Sequence, residues 1–212
     1  MNHVPYIAIE GPIGVGKTTA AKAIADAFQF ECIKETVEGN PFLQYFYEDI
    51  ERTAFQTEMF FLTDRFEQQE HVKELLQNGR PIVSDYHINK NKLFAAETLK
   101  PEHFHKFEQI FHILTDDLPK PTVVIYLKAG LETLLERIDR RGRPEESHLT
   151  ADYLQKIIAA YEKWLPVFAK EHPEVKLVTI ETESLNFVSD PAAIKSLMET
   201  VKHLIGEAFI YE

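Results

Sequence analysis

Residues 11–18 read Gly11-Pro-Ile-Gly14-Val-Gly16-Lys17-Thr18, which matches the spacing G-x-x-x-x-G-K-[ST]. Gly11, Gly14 and Gly16 let backbone N–H groups curl around the β-phosphate of a nucleoside triphosphate. Lys17 reaches the β- and γ-phosphates, the Thr18 hydroxyl is placed to bind Mg2+, and Thr19 follows in the same first helical turn. Three further groups could act on a phosphate held there. Glu35 follows the strand expected at Glu31–Lys34 and could orient and deprotonate an acceptor hydroxyl. A solvated loop glutamate is the competing reading. Asp85 follows the strand expected at Pro81–Ser84 and could hold Mg2+ directly or through water, or serve only as a cap. Arg137, Arg140, Arg141 and Arg143 form the densest cationic cluster of the chain, with Gly142 as a flexible point. Such a cluster reads as a lid over residues 137–146 that closes on the triphosphate, or as a solvated helix end paired with nearby acids.

Positioning these groups needs a sheet. Short β-branched runs alternate with longer helical patterns, the signature of a parallel sheet covered by helices. Strands are expected at Tyr6–Ile9, Glu31–Lys34, Pro81–Ser84, Thr122–Leu127 and Val175–Ile180. Helices are expected at Lys17–Phe28, Pro41–Ile50, Phe55–Asn78, Ile88–Thr98, Pro101–Thr115, Leu131–Arg140, Ala151–Lys170 and Pro191–Glu207. In the third helix Phe55, Met59, Leu62 and Phe66 recur every three or four residues and form one stripe. Ligands of open parallel sheets sit at the C-terminal ends of the strands, which places loops 10–18, 35–40, 84–91 and 128–130 around one site.

The bulk properties narrow the partners. A chain of 212 residues suits one α/β domain spanning 1–212. The net charge of −11, from 34 acidic and 23 basic residues, repels nucleic-acid polymers and anionic membranes. No apolar run approaches the ~20 residues of a membrane span. The N-terminal residues do not read as a signal peptide. The one cysteine, Cys32, cannot form an internal disulfide and fits a reducing cytoplasmic setting.

Several separate segments then carry a resemblance. Glu10–Thr19, Lys34–Pro41, Phe55–Leu62 with Arg65, Ser84–His87, Arg141–Glu146, and Tyr153 with Tyr161–Trp164 are similar to the deoxynucleoside kinase family, in particular its bacterial deoxyguanosine kinase branch. The resemblance covers nearly the whole chain and weakens after about residue 180. It implies a P-loop NTPase-type three-layer α/β fold with a five-stranded parallel sheet flanked by helices. It implies a homodimer built on helices, and ATP-dependent phosphorylation of a deoxyribonucleoside 5′-hydroxyl. It further implies that Glu35 is the base on the 5′-OH and that Tyr47 and Glu146 hold the sugar 3′-OH. Arg65 falls near the base and the 5′ end, Arg137, Arg141 and Arg143 are lid arginines, and Phe187 lies against the donor adenine.

Glu58 bears on the acceptor. Relatives that read adenine or cytosine carry glutamine at the matching position, whereas an ionised carboxylate only accepts hydrogen bonds. Guanine presents two adjacent donors, N1–H and N2–H, so Glu58 points to deoxyguanosine; Gln56, two residues away, points to another face. A preference for deoxyadenosine or deoxycytidine is the alternative. Two positions depart from the family. Asp85-Tyr86-His87 lacks the arginine common after the acidic residue, with Lys90, Asn91 and Arg65 as the candidates to replace it, and Thr53 stands where a tryptophan is common.

Other P-loop functions fit less well. Asn89-Lys90-Asn91-Lys92 lacks the aspartate of a guanine-reading GTPase motif. A nucleoside monophosphate kinase needs extra acceptor-site arginines, and outside the lid only Arg52, Arg65 and Arg80 exist. A nucleotide-gated switch protein would turn over slowly and would not need Glu35. His103 and His105 diverge on a helix and read as surface residues rather than metal ligands.

Overall fold

The β-branched runs pair into one sheet: β1 (Tyr6–Glu10), β2 (Glu31–Ile33), β3 (Ile82–Ser84), β4 (Val123–Lys128) and β5 (Lys176–Glu181). The computed structural model describes residues 4–37 and 39–209. All pairings are parallel, in the order β2-β3-β1-β4-β5. The connections therefore leave β1 and β3 toward opposite edges of the sheet. That divergence opens a crevice at the carboxyl ends of the strands, as expected for this topology.

Strand alternation sends side chains to two faces. Ile7, Ile9, Ile125 and Leu127 pack with Ile24, Leu134 and Leu197 of three helices, α1 (Lys17–Phe28), α6 (Leu131–Arg141) and α8 (Pro191–Phe209). On the other face Tyr6 and Ile82 meet Val72 and Leu75 of α3 (Ile50–Gln77), and Ala8 and Val124 meet Phe168 of α7 (Ala151–Glu171). The result is three layers. Each fully buried Ile or Leu of the central strands contributes about 1.5–3 kcal/mol.

The helix expected at Pro41–Ile50 is instead broken. A short α2 (Leu43–Phe46) is followed by Asp49 in a non-helical conformation, and α3 starts at Ile50. The Asp49 side chain accepts from the Arg52 backbone N–H at 3.2 Å, an N-cap that starts α3 five residues earlier than its apolar stripe suggests. Asn40 fixes the preceding turn by accepting from the Phe42 N–H and donating to the Thr57 carbonyl.

Helix α3 buries two stripes. Leu62, with Phe55, Met59 and Phe66, packs against α5 (Pro101–Thr115), as the periodicity requires. The second stripe is polar: Thr57, Glu58, Arg65 and Gln69 are all buried. Buried polar and charged groups are costly without partners, so this stripe marks where the helix serves the site. Helix α4 (Lys90–Thr98) packs beside it. His103 and His105 are exposed on α5. Among the described residues no helix is long and apolar enough to cross a membrane.

Candidate active site

A cavity of about 880 Å³ lies at the crevice. Its floor is the loop between β1 and α1. Gly11 has φ 145° and its missing Cβ leaves room for the Leu127 carbonyl, so any side chain would meet backbone. Gly16 precedes α1 at φ 105°, a conformation that L side chains rarely adopt. Gly14, Gly16, Lys17, Thr18 and Thr19 line the cavity at the start of α1, where helix N–H groups favour an anion. The Lys17 ammonium donates to the carbonyls of Gly11 at 2.8 Å and Pro12 at 3.0 Å. Burial, and next the nearby Lys90 charge, lower its pKa to about 8.

Below this loop Glu10 is fully buried at the end of β1. Its carboxylate accepts from the backbone N–H groups of His87 at 2.5 Å and Gly11 at 3.2 Å and from the Tyr161 hydroxyl at 2.6 Å. It thereby ties the ends of β1 and β3 to α7. Burial raises its pKa, and Lys90, Tyr161 and Lys17 pull it back.

Asp85 joins the phosphate loop to the next strand end. Its Oδ2 accepts from the Thr18 hydroxyl at 2.5 Å, and its Oδ1 accepts from the Glu35 N–H at 2.7 Å. The hydroxyl and carboxylate oxygens make a hard donor pair that suits a magnesium ion sharing its shell with phosphate and water.

Glu35 sits between two buried cations. The Lys90 ammonium donates to both carboxylate oxygens, at 2.8 and 2.7 Å, and the Arg65 guanidinium donates to Oε1. Burial alone would raise the Glu35 pKa. Lys90, Arg65 and Lys17 outweigh that effect and hold it well below the usual carboxylate range. Arg65 lies near the rings of Phe61 and Tyr86, at 4.8 and 5.6 Å.

Glu58 lines the same cavity from α3 and is 3% exposed. Its Oε1 is 3.2 Å from the Thr98 hydroxyl, which also lies 2.9 Å from the Phe94 carbonyl. Burial raises its pKa to about 7, against the pull of Arg65 and Thr98. Tyr47 and Tyr153 complete this wall, with ring centroids 5.6 Å apart.

Arg141 and Arg143 also border the cavity. Arg141 donates to both oxygens of Glu146, at 2.5 and 2.6 Å, and Arg143 lies 4.0 Å from it. Burial and next the Glu146 charge raise the Tyr47 pKa, which puts these two groups within electrostatic reach.

Cations around an anion-favouring loop, a carboxylate beside them, and a buried pocket walled in part by aromatic rings suit phosphoryl transfer to a small acceptor. The deoxynucleoside kinase family model matches residues 7–206. The chain belongs to the deoxynucleoside kinase family. Among its relatives, a deoxyguanosine kinase of Bacillus subtilis (strain 168) is 45% identical over 206 residues, spanning 97% of this chain and 100% of that protein. A deoxyadenosine/deoxycytidine kinase of the same organism is 30% identical, spanning 97% of each chain. A solved structure of deoxyadenosine kinase from M. mycoides, with products dCMP and a flexible dCDP bound, shares the fold: the TM-score is 0.78 at 24% identity, over 93% of this chain and 99% of that one.

This deoxynucleoside kinase brings Lys17, Thr18, Glu35, Asp85, Glu58, Tyr47, Arg65 and Glu146 to one cavity, as the sequence suggested. Gly11 lies behind that surface and shapes the loop from below. The kinase departs from the sequence reading at three places. Arg137 lines the cavity, but its guanidinium donates to the carbonyls of Thr182 at 2.6 Å and Leu185 at 2.9 Å, so in this structure it braces a loop. Loop 128–130 stays outside, because Gly130 starts α6 directly with its N–H held by Glu183 at 2.6 Å. The loop after β5 lines the cavity instead: Phe187, expected at the site, packs against Gly16, and Leu185, Asn186 and Val188 join it without having been expected.

Of the candidates to replace the missing arginine, Lys90 and Arg65 reach Glu35. Asn91 is buried away from the cavity, with no hydrogen-bond partner for its amide. Glu10 was legible as part of the phosphate-loop motif but carried no role. A charged residue closing a wholly apolar strand was its signal.

Proposed function

We propose that this kinase transfers the γ-phosphoryl group of ATP to the 5′-hydroxyl of deoxyguanosine, giving dGMP. The observation that carries the base preference is Glu58, a buried carboxyl on the acceptor wall of the cavity. Ionised, it accepts both N1–H and N2–H of guanine, while adenine would set its N1 lone pair against it. A buried polar site of this kind rejects a mismatched partner strongly, because groups are left unpaired. The 45% identity to a protein named deoxyguanosine kinase supports the reading.

In this mechanism the loop from Gly11 to Thr19 and Lys17 hold the triphosphate, and Phe187 packs near the donor base. Thr18 and Asp85 would hold Mg2+, which supplies charge neutralisation on the phosphates when bound. Tyr47 and Glu146 hold the 3′-hydroxyl. Arg65 keeps Glu35 aimed at the 5′-hydroxyl. Arg141 and Arg143 meet negative charge on the transferring group. Glu35, stabilised as an anion, is a weak base in the ground state. It takes the proton late, once bond formation to phosphorus has made the hydroxyl acidic. The chain acts as a single domain, in the cytoplasm, as a homodimer.

A panel of the four deoxynucleosides with ATP and Mg2+ tests the reading. Deoxyguanosine is expected to give the highest kcat/KM. Phosphorylation of none, or a preference for deoxyadenosine at pH 8, would overturn it. Glu35→Gln is expected to lower kcat by about 10²–10⁴-fold while ATP binding, followed by calorimetry, is kept.

A further inference from the structure

Lys90 is a buried lysine with a side chain only 7% exposed, and it stands at the first position of α4, facing the cavity. Its ammonium straddles the two oxygens of Glu35. Arg65, 4% exposed, already pairs with the same carboxylate. Glu35 is the carboxylate that Arg65 and Lys90 both touch directly, while the buried Glu10 and Glu58 attract these cations from further away. Lys90 is therefore held here by one direct ion pair, and loss of the Glu35 charge would leave it to seek another anion. Lys17, in the phosphate loop on the same cavity wall, marks the donor-phosphate side.

The two cations are not equivalent. Arg65 is held near two aromatic faces. Lys90 lies near one, the Phe94 ring at 5.3 Å, and carries three N–H donors on a flexible stem, of which Glu35 engages two. Tyr86, at the position where the family commonly has arginine, brings no charge. It is fully buried, and its hydroxyl donates to Gln68 at 2.7 Å on α3.

We propose that Lys90 is a catalytic residue that passes from Glu35 to the transferred phosphoryl group during the reaction. The inference rests on the phosphoryl-transfer reading but not on the identity of the base. As the acceptor oxygen bonds to phosphorus, the O–H bond breaks and its proton goes to Glu35. The bond from phosphorus to the bridging oxygen of ADP breaks, and the electron pair leaves on ADP. Neutral Glu35 keeps an acceptor oxygen but attracts an ammonium far less strongly than the carboxylate did. Lys90 turns to the new 5′-phosphate, whose negative charge takes the place of the one Glu35 has lost. Lys17 stays with the leaving nucleotide.

The test compares binding of deoxyguanosine and of dGMP, by calorimetry, to the full-length wild-type, Lys90→Met and Lys90→Arg proteins, with kcat measured alongside. Lys90→Met is expected to weaken dGMP binding by roughly 10- to 100-fold, the range of one charge-assisted contact. Deoxyguanosine binding should change less than about threefold. The same variant should lower kcat by about 10²–10³-fold, with KM for ATP nearly unchanged. Lys90→Arg should restore most of the dGMP affinity. Equal weakening of nucleoside and monophosphate binding in Lys90→Met, or a kcat within threefold of wild type, overturns the proposal. If Lys90→Met does not fold, Lys90→Gln takes the same comparison. If the wild type prefers another nucleoside, the pair becomes that nucleoside and its 5′-monophosphate. The choice of deoxyguanosine then fails while the role of Lys90 is still tested.

Discussion

Glu35 and Glu58 share one cavity and one helix-borne cation, Arg65, yet their environments push them apart. Arg65 and Lys90, the cations beside these two carboxylates, both touch Glu35. Glu58 has the Thr98 hydroxyl, with Arg65 and Lys90 attracting from a distance, Glu35 repelling, and the phenols of Tyr47 and Tyr153 nearby. Burial therefore dominates and lifts Glu58 to about 7. The consequence is chemical. Ionised Glu58 presents two acceptors and suits guanine. Protonated Glu58 presents one donor and one acceptor, as glutamine does, and suits adenine N1 and its amino group. The ratio of kcat/KM for deoxyguanosine to that for deoxyadenosine is thus expected to rise by up to about tenfold per pH unit around pH 7. Steady-state assays from pH 6 to 8 measure it. Glu58→Gln should flatten the ratio and move the preference toward adenine; a wild-type ratio constant across that range refutes the link. The identity of Glu58 was legible in the sequence. Its protonation was not, because that depends on which carboxylate captures the cations, a matter of three-dimensional distance.

The elements that hold these residues were legible in proportion to how local their signals are. The glycine spacing and the strand before it are local, and both appear where expected. The start of α3 was obscured because the apolar stripe begins at Phe55, whereas the helix begins at the Asp49 cap. The polar stripe of α3 has the right period, but polarity hides burial from a hydrophobic pattern. Arg137 shows the same limit. Its place in a cationic cluster suggested a phosphate ligand, but its nearest partners are carbonyls 45 and 48 residues further along the chain. That position gives a contrast between two residues of α6. Arg137→Ala removes the two guanidinium bonds that brace the loop after β5 and is expected to cost about 1–3 kcal/mol of stability, with KM for ATP raised as that loop loosens. Arg141→Ala, at a side chain 35% exposed, breaks the pair with Glu146 but leaves Arg143 near that carboxylate; it should cost under about 1 kcal/mol and lower kcat. Urea unfolding with parallel kinetics separates them. A stable Arg137→Ala protein with a low kcat and normal KM would restore the phosphate-ligand role.

At the scale of the whole molecule, parallel strands and flanking helices follow from the alternation of β-branched and helical segments, while the position of β1 between β3 and β4 emerges only from packing. One buried group links that packing to pH. His87 follows β3, is 5% exposed, and lies against Phe168 and Trp164 at ring distances of 5.4 and 6.4 Å. Its Nδ1 accepts from the Asn89 N–H at 3.3 Å, which requires an unprotonated nitrogen. Burial, and next the His172 charge, push its pKa down to about 3. The folded state thus needs neutral His87, whereas the unfolded chain takes up the proton near 6.5. The stability this provides is complete above pH 6.5 and is lost as pH falls toward 3, by about 1.4 kcal/mol per pH unit. Glu58 has the opposite slope between its ordinary 4.5 and about 7, since there the folded state binds the extra proton. A single wild-type curve therefore mixes the two, and the comparison with His87→Asn isolates the histidine. Asparagine can still accept from the Asn89 N–H but does not titrate. Unfolding in urea, followed by the fluorescence of Trp164, the only tryptophan in the chain, should show wild type losing stability relative to His87→Asn from pH 6.5 to 4.5. A loss of about 2–3 kcal/mol over that window is a sizeable share of the 5–15 kcal/mol typical of a folded domain. A difference between the two proteins that stays constant with pH would mean that the imidazole is protonated in the fold and that the buried contact with Asn89 is not the one that holds it.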